Sequence, residues 1–319
     1  MLSTSISRSE SLTVTALAVA AARAAESSRV DAMFHDSLAD ALAGAEGHKW
    51  NHGGLTEMIA ERTAFIDNFV QEHYGKGTRQ IVLLGAGMDV RSYRMNLEHA
   101  HFFEVDQQLL FDMKEPLVAE SKLQCASRTL APMDLGDSHL DLVHALQSKG
   151  FKITQPSCWV LEGLVMYLKP GQVLQLARQV SALSSVGSAL VHDAVSATAN
   201  KKGIDFCGAR FHSGNDDYAA LWKSVGFGLT HVINWDTILL DREAKQIFVE
   251  ESLAAASPKY LRGREVVVMV RAWKLGATKA GRAKTKRGNS APSPSKPNRR
   301  DANTFIALAE DSESSSGTD

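Results

Sequence analysis

The sequence predicts an open, doubly wound, mostly parallel α/β sheet with an all-helical segment in front of it. Three observations predict it. The run Gln80-Ile81-Val82-Leu83-Leu84 leads directly into Gly85-Ala86-Gly87, as expected of a parallel strand buried on both faces. From there to about residue 273, strand-like and helix-like segments alternate, the pattern of β-α-β crossovers. Before residue 79 the apolar residues recur at helical spacing.

In the N-terminal segment, 1–78, alanines, valines and leucines place a helix over 11–26, with Ser11 available to cap its start. A short helix is expected over 36–42. A longer amphipathic one is expected over 55–74, with Leu55, Ile59, Thr63, Ile66 and Val70 on one face. The sheet domain, 79–273, continues with a strand over 101–105, a helix over 106–121, and a strand over 158–161 that ends at Glu162-Gly163. Pro170 opens a helix over 170–183, because a first-turn proline lacks an N–H that would be unpaired anyway. A strand over 188–193, a helix over 216–225 stopped by Gly226, a strand over 229–235, a helix over 242–254 and a strand over 265–270 follow. The tail, 274–319, is basic up to Arg300 and acidic from Asp301. It has almost no large apolar residues to offset the entropy of ordering, and is expected to be disordered.

Composition limits the function classes. With 319 residues, 44% hydrophobic and 22% charged, the chain can bury one large core. A net charge of −1 provides no field for nucleic acid or an anionic membrane surface. The longest apolar stretch, 12–22, ends at Arg23, well short of the ~20 residues that span a bilayer. Cys125, Cys158 and Cys207 are far apart and in no metal-binding spacing, so they read as reduced and structural, and no metal is expected. The first eight residues have the hydroxyls and arginine of a transit peptide, but Glu10 and Glu26 supply the acid such peptides avoid. A cytoplasmic location is expected, with Lys284-Thr285-Lys286-Arg287 as a run of nuclear-import type.

The glycine turn after the first strand lets the backbone approach a ligand with no Cβ in the way, although such a strand end is also an ordinary tight turn. Asp106 follows Gly85 by 21 residues, the spacing at which a carboxylate meets the ribose hydroxyls of an adenosine. Glu104 is placed to share that role, and Asp106 is equally suited to capping the helix that begins there. A dinucleotide fingerprint would need glycine at position 90, where the chain has Val90, and Asp89 would sit close to a pyrophosphate. A phosphate-free cation tolerates that carboxylate. S-adenosyl-L-methionine, with its sulfonium and ammonium, is such a ligand.

Together these residues resemble a known family. Arg62-Thr63, Leu84-Gly85-Ala86-Gly87-Met88-Asp89 with Arg91 and Arg94, Phe103-Glu104-Val105-Asp106-Gln107 with Lys114, Asp134-Leu135, and Glu162-Gly163-Leu164-Val165-Met166-Tyr167-Leu168 resemble the leucine carboxyl methyltransferase family, in order, from about Ser11 to Trp273. Thr15-Ala16-Leu17 and the alanine-rich 21–26 look more like its bacterial branch than like the enzymes acting on protein phosphatase. The resemblance implies a Rossmann-like sheet of the class I methyltransferase type and S-adenosyl-L-methionine as donor. It implies that Arg62 pairs with the donor's carboxylate and that Gly85, with Gly87 in the same turn, lies against its methionine part. Asp106 would hold the ribose, with Glu104 beside it. Asp134 and Leu135 would frame the adenine, and Glu162 would sit near the ammonium.

The acceptor implied is a small molecule or a C-terminal carboxylate. A carboxylate is already ionised and needs no base, whereas a hydroxyl does. Tyr167, His192 and His212 are the candidates for catalytic work, each of them equally readable as packing, core or loop residues. The segment 199–217 with Phe206, Phe211 and the following Tyr218 is the expected lid. Two other readings stand beside this one: an NAD-dependent oxidoreductase, and a non-catalytic domain acting through its tail.

Overall fold

The structure is a computed structural model that describes residues 8–50, 55–201, 203–234 and 267–276. The chain begins with α1 (Arg8–Ser27), α2 (Ala39–His48) and α3 (Leu55–Gly75), then enters the sheet with β1 (Gln80–Leu84). There follow α4 (Arg91–Arg94), β2 (Leu97–Asp106), α5 (Gln108–Val118), β3 (Cys125–Pro132), α6 (Leu142–Ser148) and β4 (Ser157–Leu161). After a single 3-10 turn (Val165–Tyr167) come α7 (Pro170–Leu183), β5 (Ala189–Val195), α8 (Ala197–Lys201), the small strands β6 (Asp205–Phe206) and β7 (Ala209–Arg210), α9 (Tyr218–Ser224), β8 (Leu229–Asn234) and β9 (Val267–Trp273).

Among the described residues, seven strands form one sheet in the order β3-β2-β1-β4-β5-β9-β8, and β6 pairs with β7 in a separate hairpin. The pairings from β3 to β5 are parallel, while β9 runs antiparallel to both β5 and β8. Every residue of β1, β4 and β5 is buried, which requires helices on both faces. Alternate side chains divide accordingly. Val82, Leu84, Phe103, Trp159 and Leu190 pack with Leu142 and Leu146 of α6, Leu176 and Val180 of α7 and Trp222 of α9. Ile81, Leu83, Phe102, Val160 and Val191 face Ile66, Phe69 and Val70 of α3. A third cluster joins α1, α2 and α5 through Leu17, Ala21, Leu42, Ala43 and Leu110.

Several boundaries differ from expectation. Ser11 lies buried inside α1, which starts earlier, so it does not cap that helix. The second helix begins at Ala39, and Asp36 stands before it, accepting from the Leu38 amide at 3.2 Å. β2 starts at Leu97 because Leu97 and Ala100 are buried between exposed residues, a pattern masked by the histidines at 99 and 101. β3 was not anticipated: it is an edge strand, only partly buried, and its sequence CASRTLAP has neither an apolar run nor a clean alternation. The helix expected over 242–254, and the tail expected over 274–319 beyond residue 276, lie outside the described residues.

α1 and α2 pack closely because Gly47 has no side chain: a Cβ there would lie 2.4 Å from the Leu17 carbonyl oxygen. Gly47→Ala is therefore expected to force the two helices apart and cost about 1–3 kcal/mol. A lowered urea midpoint would show it, and an unchanged midpoint would contradict this packing.

Candidate active site

The sheet reverses its winding between β1 and β4, and the loops leaving the C-terminal ends of β1 to β5 converge there on one cavity of about 430 Å³. Two of the N-terminal helices complete its wall. α1 contributes Leu12, Thr15, Ala16, Val19 and Arg23, and α3 contributes Met58, Ile59 and Arg62.

The first loop turns at Gly85, whose φ of +70° is a left-handed conformation suited to glycine, and a Cβ there would press on Leu164 at 3.2 Å. The amides of Gly85 and Ala86 donate to the Val105 carbonyl, so β1 stays paired with β2 into the turn. Asp106 then clamps the turn. Its Oδ2 accepts from the Gly87 amide at 2.6 Å and its Oδ1 from the Gln107 amide at 2.7 Å. Burial raises the Asp106 carboxyl to about 6, against the pull of those two amides.

Charge concentrates at the end of β4. Glu162 Oε1 accepts from Arg23 Nη2 at 2.9 Å and from Arg62 Nε at 3.1 Å, while Oε2 accepts from Arg91 Nη1 at 2.8 Å. Arg62 Nη1 donates to Asp193 Oδ2 at 2.9 Å, and the other oxygen of Asp193 accepts from the Gly163 amide at 2.6 Å. Arg91 is fully buried and also binds Asp67, at 2.6 Å, and Asp89. Burial alone would push Glu162 up, but the guanidiniums of Arg23, Arg91 and Arg62 outweigh it and hold its carboxyl well below the usual range.

Of the residues singled out from the sequence, Arg62, Gly85, Gly87, Asp106, Asp134, Leu135, Glu162 and Tyr167 all line the cavity. Asp134 is exposed, with Oδ1 accepting from the Gly136 amide at 2.8 Å, and Leu135 is buried beside it. Glu104 is a correction. It lies within the length of β2, under α5 and β3, fully buried, and accepts from Lys114 Nζ at 2.8 Å and from Arg128 Nε and Nη2 at 2.7 Å each. It faces a different cluster from the cavity, and both its oxygens are occupied there. Lys114 Nζ also donates to the Asp89 carbonyl, so this cluster supports the glycine loop from below.

The two histidine candidates are also corrected. His192 is wholly buried, with Nδ1 donating to the Asp193 carbonyl at 3.1 Å and Nε2 accepting from Trp222 Nε1 at 2.9 Å. Burial lowers it to about 4, and it does not line the cavity. His212 is exposed and outside the cavity lining, and its backbone amide donates to the Met166 carbonyl at 2.7 Å. In the expected lid, Phe206 and Phe211 reach the cavity, but Tyr218 is buried in the core with its hydroxyl donating to the Val195 carbonyl at 3.2 Å. Arg23 and Asp193 were missed as site residues. The one available signal for Arg23 was its position as the lone charge in the alanine-rich run 16–25, which marks a buried helix face.

A model of the leucine carboxyl methyltransferase family matches residues 16–181, from α1 into α7, a span that holds Arg23, Arg62, the glycine loop, Asp106 and Glu162. The chain belongs to this family. Relatives from Mycobacterium tuberculosis and Mycobacterium bovis, each named "Putative S-adenosyl-L-methionine-dependent methyltransferase", are 30% identical over 295 residues, covering 81% of this chain and 92% of their own. A similarly named relative from Streptomyces avermitilis is 36% identical over 190 residues, covering 54% of this chain and 66% of its own. Among solved structures, a duf574 family protein from Streptomyces avermitilis has a TM-score of 0.51 at 12% identity, covering 80% of this chain and 96% of its own. A structure from Thermobifida fusca titled as a "putative methyltransferase" also has 0.51, at 16% identity over 82% and 94%. The fold is the Rossmann-like sheet of the class I methyltransferase type.

Lys114→Met leaves Glu104 and the Asp89 carbonyl short of a buried cation. It is expected to lower unfolding free energy by about 3 kcal/mol or more, measured by urea denaturation. Wild-type stability in that variant would show that Arg128 alone neutralises Glu104.

Proposed function

We propose that this chain uses S-adenosyl-L-methionine to methylate an oxygen, and that the oxygen belongs to a carboxylate. The observation that carries the donor reading is the charge of the cavity. Asp89, Asp106, Asp134, Glu162, Asp193 and Asp205 line it against Arg23 and Arg62. An excess of carboxylate favours a sulfonium and an ammonium, and repels the pyrophosphate of a dinucleotide. The glycine turn fits as well, since a side chain at position 85 would enter the space left against Leu164.

When bound, the donor supplies a methyl group on a positively charged sulfur; the new C–O bond forms as the C–S bond breaks, and the electron pair stays on sulfur as a neutral thioether. The residues of the chain bind and align. Arg62 engages Glu162 and Asp193 through Nε and Nη1, and its Nη2 takes part in neither bond, so a donor carboxylate has a nitrogen to pair with. Each Asp106 oxygen already accepts one amide and has a second lone pair for a ribose hydroxyl. Asp134 Oδ1 is held by Gly136, leaving Oδ2 for an exocyclic amine, and Leu135 supplies an apolar surface for the ring. Glu162 and Asp193 complement the ammonium.

The acceptor reading rests on proton chemistry. Among the described residues no histidine lines the cavity, Glu162, Asp89 and Asp193 are engaged by arginines, Asp106 and Asp134 are assigned to the donor, and burial raises the Tyr167 hydroxyl far above neutrality, which leaves the exposed Asp205 as the one lining group for taking a proton from an acceptor. A hydroxyl acceptor would need a base. A carboxylate needs only alignment and removal of water.

Calorimetric titration tests the donor site. S-adenosyl-L-methionine and S-adenosylhomocysteine are expected to bind the wild type, with affinity at least about tenfold weaker in Arg62→Ala and in Asp106→Ala, the scale of one charge-assisted hydrogen bond. A folded wild type that binds neither would overturn the proposal, and tight NADH binding would replace it with the oxidoreductase reading. The donor also has a pH signature. Ribose hydroxyls donate to the ionised form of Asp106, whose carboxyl in the free protein lies at about 6. Affinity should therefore be highest near neutrality and fall as pH drops through 6, by up to about tenfold per pH unit. A flat profile down to pH 5 would remove Asp106 from the donor contacts.

A further inference from the structure

The cavity has a second end that the donor's charges do not explain. Beyond the Glu162 cluster, Leu12, Met166, Val195, Ile204, Phe206 and Phe211 form an apolar wall built from α1, the 3-10 turn, the end of β5 and the β6–β7 hairpin. Tyr167 stands between the two ends. Its ring meets Phe211 edge-on, with centroids 5.2 Å apart, and its hydroxyl is hydrogen-bonded with the Thr15 side chain, whose own proton goes to the Leu12 carbonyl at 2.7 Å. Arg62 lies near enough to act on that hydroxyl electrostatically. With the Thr15 proton on Leu12, the Tyr167 proton is the one shared with Thr15; rotation about the C–O bond lets the tyrosine exchange that neutral partner for the stronger acceptor, an anion brought into the cavity.

We propose that the acceptor is an apolar monocarboxylic acid, of the fatty or arylacetic kind, whose hydrocarbon body lies against the β6–β7 hairpin and whose carboxylate is oriented by Tyr167. This deepens the carboxylate reading above and rests on it. Three features select this class. The wall offers aromatic and aliphatic carbon to the acceptor's body, which favours an apolar group and leaves a polar one short of partners. Several backbone groups at this end are already paired: Phe211 N with the Ile204 carbonyl at 3.0 Å, His212 N and Ser213 N with the Met166 carbonyl at 2.7 and 3.2 Å, and the Val165 carbonyl with Ser213 Oγ at 2.7 Å. A peptide end would bring amides that compete with these pairs for partners. Asp205, an exposed carboxylate that also lines this end, repels a second anionic group on the acceptor.

The probes are octanoate, phenylacetate, the dicarboxylate suberate and N-acetyl-glycyl-leucine, titrated by calorimetry into the full chain saturated with S-adenosylhomocysteine. Octanoate or phenylacetate is expected to bind at least tenfold more tightly than suberate or the peptide. Tyr167→Phe, which keeps the ring and removes only the hydroxyl, is expected to weaken the acid about tenfold while the neutral octanamide changes less than threefold. Phe211→Leu, a conservative change in the wall, is expected to shift the ratio of phenylacetate to octanoate affinity. The inference is overturned if the peptide or suberate binds best, if no acid binds to protein that holds S-adenosylhomocysteine, or if Tyr167→Phe weakens acid and amide alike. Failure of S-adenosylhomocysteine itself to bind the wild type would instead count against the donor site, so the two failures are distinguishable.

Discussion

Glu162 gathers three guanidiniums from three elements far apart in the chain, and the rest of the site depends on that convergence. Arg23 comes from α1, Arg62 from α3 and Arg91 from the start of α4. A lone carboxylate at the buried end of β4 would be costly, and three buried arginines without it would be costlier. Paired, they fix where α1 and α3 rest on the sheet. The helical segment is thereby part of the site: it supplies two of the cations beside the carboxylates and, through Thr15, Ala16, Val19 and Ile59, part of the wall.

A second buried cluster works beneath the first. Glu104, Lys114 and Arg128 join β2, α5 and β3, and Lys114 reaches the Asp89 carbonyl at the far side of the glycine loop. Asp106 holds the same loop from its other side through the Gly87 amide. The turn is thus restrained by a cation from below and a carboxylate from the edge, before any ligand arrives. Such pre-organisation places the chain's groups for alignment, which is what a direct displacement asks of a protein.

Much of this was legible in the sequence. β1, β4 and α7 were readable because an apolar run, a glycine turn or a first-turn proline marks each one locally. The cavity residues carried by motifs, Arg62, Gly85, Asp106, Asp134 and Glu162, do meet in one place. What escaped was long-range. Glu104 and Asp106 are two residues apart and chemically alike, and only the cover provided by α5 and β3 separates a core ion pair from a cavity residue. The strand expected over 188–193 put His192 near the ligand edge, but β5 runs on to Val195, and the ring of His192, midway along it, turns toward Trp222 in the core. Arg23 is separated from Glu162 by 139 residues, and no local pattern pairs them.

The measurement that bears most directly on this account is made on Glu162→Gln, a change that removes one charge and almost no volume. Urea denaturation and S-adenosyl-L-methionine calorimetry are made on the same preparation. The account predicts a loss of about 3 kcal/mol or more in unfolding free energy, from the buried Arg23 left without its carboxylate and Arg62 and Arg91 each with one partner fewer, together with loss of donor binding. Wild-type stability with undiminished donor affinity would contradict it, and would mean that α1 and α3 are held on the sheet by their apolar contacts and, for α3, by the Arg62–Asp193 pair.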